Sequence, residues 1–217
     1  MTKWFLSFLI VLFALTVKAQ SNVIDSIKVS LQEKPKFFMS LNNRNTFIRS
    51  NKTKLYGLTG GFDYNEKVKL FVGIYGFGDA NETLLINDID FVQDSVFRYI
   101  NTSNFSLGIE YDYWEYERLH LSFPIQIGIG SINYEFVEKD KSTPIRIQNY
   151  NIVPIEFGSN AYLELLTGVG LKAGIGYRMT LGKKEASQLS SPYYNLGISI
   201  LVGEIYKDIK KNINYKP

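Results

Sequence analysis

Twice in succession, between residues 154 and 202, the sequence alternates apolar side chains with small or polar ones over a length that few folds can absorb. In the first run Val169, Leu171, Ala173, Ile175, Tyr177, Met179 and Leu181 fall on one side. Gly170, Lys172, Gly174, Gly176, Arg178 and Thr180 fall on the other. The second run sets Tyr194, Leu196, Ile198, Ile200 and Val202 against Asn195, Gly197, Ser199 and Gly203. A period of two is the mark of a β-strand with unlike faces. Since a soluble sandwich alternates too, the period alone does not say what the apolar face touches. Strand length, basic residues inside the polar face and the start of the chain decide that.

Lys3 followed by the apolar run 4–17 and the small-residue site at 17–19 has the form of a secretory signal peptide. The run is shorter than the ~20 residues a membrane-spanning helix needs. Cleavage is expected to leave Gln20 first. The chain has no cysteine, hence no disulfides and no acylated lipobox cysteine, and its net charge of +3 is too small to argue for nucleic acid.

The expected organisation is a signal peptide at 1–19, a polar lead-in at 20–36, a barrel at 37–206 and a basic tail at 207–217. Within the barrel segment the alternation predicts eight strands, near 37–47, 54–64, 67–77, 105–113, 119–130, 150–162, 169–181 and 194–202. The clearest face is Leu119, Leu121, Phe123, Ile125, Ile127 and Ile129. Faces are less distinct on the third strand, where Phe71 and Tyr75 oppose Leu70, Val72 and Ile74. Pro124 and Pro154 interrupt two strands and are expected at a bulge or a rim, because proline cannot donate to a ladder.

Connections near Asn65, Glu115 and Gly168 are tight, while 78–104, 138–149 and 182–192 are long or polar, the apolar residues Leu84, Leu85, Ile86, Ile89, Phe91 and Val92 making 78–104 a candidate strand extension or folded-over flap; only the first connection, 50–52, breaks the alternation. In a meander every second connection lies at one end, so this asymmetry predicts one tight end and one looped end. Tyr64, Tyr111, Tyr113, Tyr116, Tyr134, Tyr162, Tyr177, Tyr193, Tyr194 and Tyr206 lie near strand ends, where amphipathic rings would form interfacial girdles. The fold expected is all-β: a closed antiparallel up-and-down transmembrane barrel of about eight strands, since closure leaves no backbone group unpaired in lipid. A lipocalin-like cup with its apolar face inward is the competing architecture.

The segments at 154–158 (Pro-Ile-Glu-Phe-Gly), 174–178 (Gly-Ile-Gly-Tyr-Arg) and 195–202 (Asn-Leu-Gly-Ile-Ser-Ile-Leu-Val) resemble the small outer-membrane β-barrel proteins of Gram-negative bacteria, and more narrowly those of the Bacteroidetes. The resemblance covers about 37–206. It implies residence in the cell outer membrane, contact with outer-membrane lipid, and insertion by the barrel-assembly machinery. Asn195, Gly197, Ile200 and Val202 resemble the assembly signal such proteins present. Family members often end on an aromatic residue at the strand terminus, whereas here 207–217 continues.

Alternation puts Arg44, Glu110, Glu156, Lys172 and Arg178 on inward faces with Gln126 and Asn160, and charges in a narrow lumen need partners. These five are expected to pair and plug the barrel, with strand glycines leaving room for long side chains. His120 is the only histidine; Ser122 and Glu110 could lie near it, but a lumen histidine hydrogen-bonded into a polar interior is the expectation, with no catalytic residue. Asp79, Glu82, Asp88, Asp90 and Asp94 lack the spacing of a calcium loop, and no glycine cluster sits between strand and helix to cradle phosphate. No metal, cofactor or enzymatic activity is expected. Two function classes follow: a scaffold presenting external loops, with 78–104 as its contact for an external partner, or a small pore or ligand-binding barrel.

Overall fold

The computed structural model describes residues 23–48, 51–77, 81–85, 96–138, 146–183 and 189–213. The signal peptide, its cleavage site and the loop acids Asp79, Asp88, Asp90 and Asp94 lie outside them. Helix α1 spans residues 23–30 within the polar lead-in. The strands are β1 (Lys36–Ile48), β2 (Asn51–Tyr64), β3 (Val68–Phe77), β4 (Asn81–Leu85), β5 (Val96–Tyr116), β6 (Leu119–Glu138), β7 (Arg146–Leu166), β8 (Val169–Gly182) and β9 (Ser191–Ile200). Helix α2 (Val202–Ile213) follows.

The strands run antiparallel in the order β3-β2-β1-β9-β8-β7-β6-β5-β4, and a further pairing of β3 with β5 closes eight of them into a ring. Strand β4 is a short addition to β5 above that closure. The connections at 65–67, 117–118 and 167–168 share one end with helix α2, while the short step from Ile48 to its partner Asn51 lies at the other. At Asn65 and Glu66, φ values of 55° and 57° and a Lys67 N–H bond to the Tyr64 carbonyl at 3.1 Å make a two-residue hairpin turn whose twist matches its strands. Gly168 has φ 76°, and a Cβ there would lie 2.8 Å from the Leu201 carbonyl oxygen, so backbone conformation and packing both require glycine.

The apolar face points outward. Phe123, Ile125, Ile127 and Ile129 on β6 are exposed, as are Leu171, Ile175, Leu196 and Ile198 on β8 and β9. Ser106, Glu110, Ser122, Gln126, Glu156, Arg178 and Thr180 on the other face are buried. Polar-in and apolar-out is the reverse of a lipocalin cup, and it suits a barrel whose solvent is lipid.

Strands β5, β6 and β7, of 21, 20 and 21 residues, overrun the 10 to 14 residues of the other ring strands. A spanning strand needs only ~9–11 residues. Along the overrun of β6 the faces exchange chemistry without any change of parity. Phe105 and Ile129 are the outward apolar pair at the edge of the continuous belt; the next outward row is Ser103, Ser131 and Asn151, one continuous rung of the ladder, with Ile147 exposed farther along β7. Above that rung Asn101, Asn133 and Asn149 lie on the outer face, while Ile100, Ile132, Tyr134, Phe136 and Ile152 are buried on the inner one. An apolar-outside strand becomes apolar-inside where its surroundings change from hydrocarbon to water.

Several expected boundaries are corrected. Strand β5 begins at Val96 instead of near 105, so of the two readings of 78–104 the strand extension holds for its described residues, which contribute β4 and the start of β5. Strand β7 begins at Arg146, and β9 stops at Ile200, leaving Val202 to open α2. The prolines mark neither rim nor bulge: the β6–β7 pairing skips Pro124 and Pro154 and resumes in unchanged register. The register shifts fall elsewhere, between Asp112 and Trp114 and between Glu164 and Leu166. Among the tyrosines assigned to girdles, Tyr134 and Tyr193 are buried inside, whereas Tyr113, Tyr116, Tyr177, Tyr194 and Tyr206 are exposed.

Candidate functional site

The barrel interior gathers the polar faces of all eight ring strands, and its charged side chains stack in three layers. In the middle layer Arg44 from β1 and Arg178 from β8 close on opposite oxygens of Glu156 from β7. Arg44 Nη1 donates to Oε2 and Arg178 Nε donates to Oε1 at 2.5 Å. Gln126 Nε2 donates to the same Oε2 at 2.7 Å. One carboxylate between two guanidiniums leaves an excess positive charge, and aromatic faces meet it. The Arg44 guanidinium lies 4.1 Å from the centroid of Tyr75 and 5.3 Å from that of Tyr193, close enough for ring quadrupoles to attract it. Its Nη2 also donates to the Tyr75 hydroxyl at 2.8 Å.

Below, toward the tight-turn end, Lys172 Nζ donates to Glu110 Oε2 at 2.6 Å, and the Ser122 hydroxyl donates to the other oxygen at 2.6 Å. In the lowest layer Lys69 Nζ lies 2.7 Å from Asp112 and 3.8 Å from Asp63, one cation against two acids. Over the three layers Arg44, Arg178, Lys172 and Lys69 balance Glu156, Glu110, Asp112 and Asp63. The excess positive charge of the middle layer is matched by the excess negative charge of the lowest.

Glycines make this packing possible. A Cβ on Gly57 would lie 2.1 Å from Tyr75 Cδ1, on Gly108 2.3 Å from Phe71 Cζ, and on Gly176 2.5 Å from Tyr193 Cζ. Each ring lies across the space a neighbouring strand leaves empty.

Apolar side chains cover the polar stack at the looped end and are inserted into it near the other. Toward the tight-turn end Phe38, Phe71 and Leu201 form a buried cluster, with Phe38 and Phe71 on the rung of Gly61, inward of Asp63 and Lys69, and a cavity of about 150 Å³ beside Asp63, Lys69, Asp112 and His120; Leu201 turns inward just after β9, its N–H bonded to the Gly168 carbonyl at 2.6 Å. At the looped end Ile100, Ile132, Tyr134, Phe136 and Ile152 pack with Leu189, which arrives from the β8–β9 connection.

Thus the structure brings Arg44, Glu156 and Arg178 into one cluster and Lys172 and Glu110 into a second. Asn195 lies in the lumen, where its Nδ2 donates to Asn160 Oδ1 at 2.9 Å, and Gly197 faces the same way. Ile200 is the last residue of β9, on the outside, and Val202 is the first of α2. Sequence reasoning passed over Lys69, Asp63, Asp112, Tyr75 and Tyr193. Parity puts Asp63 of β2 and Asp112 of β5 on polar faces and Tyr193 of β9 beside Asn195; Lys69 and Tyr75 are hidden because Phe71 and Tyr75 give β3 two apolar-looking faces. His120 is buried with Nδ1 3.9 Å from Asp112 and its ring 5.8 Å from Tyr162. Ser122, committed to Glu110, is not set against that imidazole. Among the described residues no group of three or more histidine, cysteine or acidic side chains has the geometry to hold a metal ion.

No family model and no curated relative matches the chain. Among solved structures it is similar to Neisserial surface protein A, with 9% identity and a TM-score of 0.51 over 77% of this chain and 96% of that one. It is similar also to a major outer membrane protein from Thermus thermophilus, with 9% identity and a TM-score of 0.50 over 76% of this chain and 98% of that one. At such identities the likeness is one of fold, and the fold is that of the small outer-membrane β-barrels. The exposed apolar belt is the surface such a barrel presents to lipid.

Proposed function

We propose that this protein works in the cell outer membrane as a non-enzymatic scaffold: a barrel with a closed lumen that carries the extended β5, β6 and β7 beyond the membrane on its looped side. The observation that carries this reading is the continuity of the stack inside the barrel. Three layers of paired charge fill the lumen with Phe38 and Phe71 packed among them and an apolar cluster over the looped end, and an interior filled by side chains this way offers no continuous water path even with a cavity of about 150 Å³ in its lowest layer. The overrun of β5–β7 supplies the second half of the proposal, since strands ~20 residues long at ~3.3 Å per residue reach well past a ~30 Å hydrocarbon core even when tilted.

In this orientation the termini and tight turns face the periplasm, and 78–104 with β4 stands outside as the contact for a partner. Insertion is by the barrel-assembly machinery, with β9 bearing Asn195, Gly197 and Ile200 as the strand it reads. The Bacteroidetes-type affinity rests on the sequence segments at 154–158, 174–178 and 195–202. The absence of an enzymatic role is part of the same proposal and is supported by the commitment of Ser122 to Glu110.

The test is exposure on intact cells. An epitope inserted at 86–95 should bind antibody without permeabilisation, and one appended after Pro217 should bind only after it. The reverse pattern would put the projecting strands in the periplasm and end the scaffold reading.

A further inference from the structure

Helix α2 leaves the barrel with one apolar side uncovered. Its first turn is fastened to the tight-turn rim: the Leu201 N–H bonds to Gly168, Glu204 pairs with Lys36 of β1, and Ile205 lies over Gly168. Beyond that turn Val202, Tyr206 and Ile209, spaced so that they share one face of a helix, are 40%, 66% and 52% exposed. The sequence of the helix also carries Lys207, Lys210 and Lys211, and Lys210 is exposed. Its apolar and polar residues segregate strongly while their average is close to neutral, the pattern of a helix that lies in an interface rather than one that crosses or enters a core.

Two observations name the occupant. The uncovered face is continuous with the lipid belt: Ile200 ends β9 on the outside of the barrel and is exposed, and Val202 resumes the apolar surface two residues on. The charge is complementary as well, because three lysines against the single acid Asp208 in residues 206–213 would attract an anionic surface. We propose that α2 lies in the headgroup layer of the leaflet at the tight-turn end, with Val202, Tyr206 and Ile209 dipped toward the acyl chains and the net positive charge of the segment drawing it to acidic phospholipid. The helix then fixes the vertical position of the barrel and holds Leu201 in its mouth. This inference rests on the membrane reading above.

The chain lacks cysteine, so single-cysteine variants give one label each. Ile209→Cys, Asp208→Cys and, in the belt, Ile127→Cys would carry a polarity-sensitive fluorophore in vesicles of phosphatidylcholine with or without phosphatidylglycerol. The label at 127 should be blue-shifted in both. At 209 it should be blue-shifted and several-fold brighter than at 208, more so with phosphatidylglycerol, and changing Lys207, Lys210 and Lys211 to Glu should remove that lipid dependence. A label at 209 in a watery environment, with 127 in lipid, overturns the inference and leaves the barrel in the membrane. Watery labels at both positions overturn the membrane reading itself. A blue shift at 209 that disappears on dilution of protein into excess lipid would mean that a second protein copy covers the helix, and would also overturn the inference.

Discussion

Arg44 and Glu156, 112 positions apart in the chain, form an ion pair at the centre of the barrel, each less than one-tenth exposed. Glu156 also holds Arg178, so one carboxylate is the shared counter-charge of two buried guanidiniums.

Replacing Glu156 with Gln keeps the shape and removes that counter-charge. Breaking a buried pair from one side costs ~3–5 kcal/mol, because the remaining charge stays desolvated and unpaired. Urea unfolding of the refolded barrel should show a loss of about that size for Glu156→Gln. It should be partly restored in the double variant Arg44→Met with Glu156→Gln. A single variant as stable as the parent would show that the cluster is hydrated rather than desolvated.

Gly57 and Tyr75 make a second, steric relationship. A methyl group at 57 would occupy the position of the Tyr75 ring, 2.1 Å from Cδ1. Gly57→Ala should therefore push Tyr75 off the Arg44 guanidinium and destabilise the barrel by ~1–3 kcal/mol, the range for overpacking. Combined with Tyr75→Ala, the two changes should be strongly non-additive, with a coupling of ~0.5–3 kcal/mol in a double-mutant cycle. Additive losses would mean that the ring can move aside freely.

Ile125 is 46% exposed in the middle of the β6 belt. Ile125→Arg should cost ~2–4 kcal/mol if the position lies at the bilayer midplane, falling toward ~0–1 near an interface. Folding into lipid vesicles, followed by the heat-dependent shift in gel mobility, measures it. Equal folding efficiency of variant and parent would place that face away from lipid.

The barrel was legible in the sequence because a lipid-facing strand alternates apolar and polar residues with nothing to blur the contrast, as from Leu119 to Ile129. Arg44, Glu110, Glu156, Lys172 and Arg178 could be placed on inward faces by parity, since a charge in a spanning strand has one tolerable direction. Which residues touch could not be read, because pairing across the lumen depends on stagger and on which glycines yield space. Two features hid the rest. On β3, Phe71 and Tyr75 are lumen residues that look like belt residues, and their roles follow from Gly108 and Gly57 on other strands. On β5, the stretch from Val96 to Asn104 reads as loop because it has no clean alternation: Ile100 shares the inner face with buried Thr102 and Asn104, while Asn101 and Ser103 take the outer one.

Single-channel recording in planar bilayers tests most directly the proposal that the lumen is closed. The unmodified protein should show no steady conductance. Glu156→Ala combined with Leu201→Gly, which opens the middle layer and the tight-turn mouth together, should add a small, flickering leak. A large, stable conductance from the unmodified chain would contradict the account and show that Arg44, Glu156 and Arg178 line an open channel.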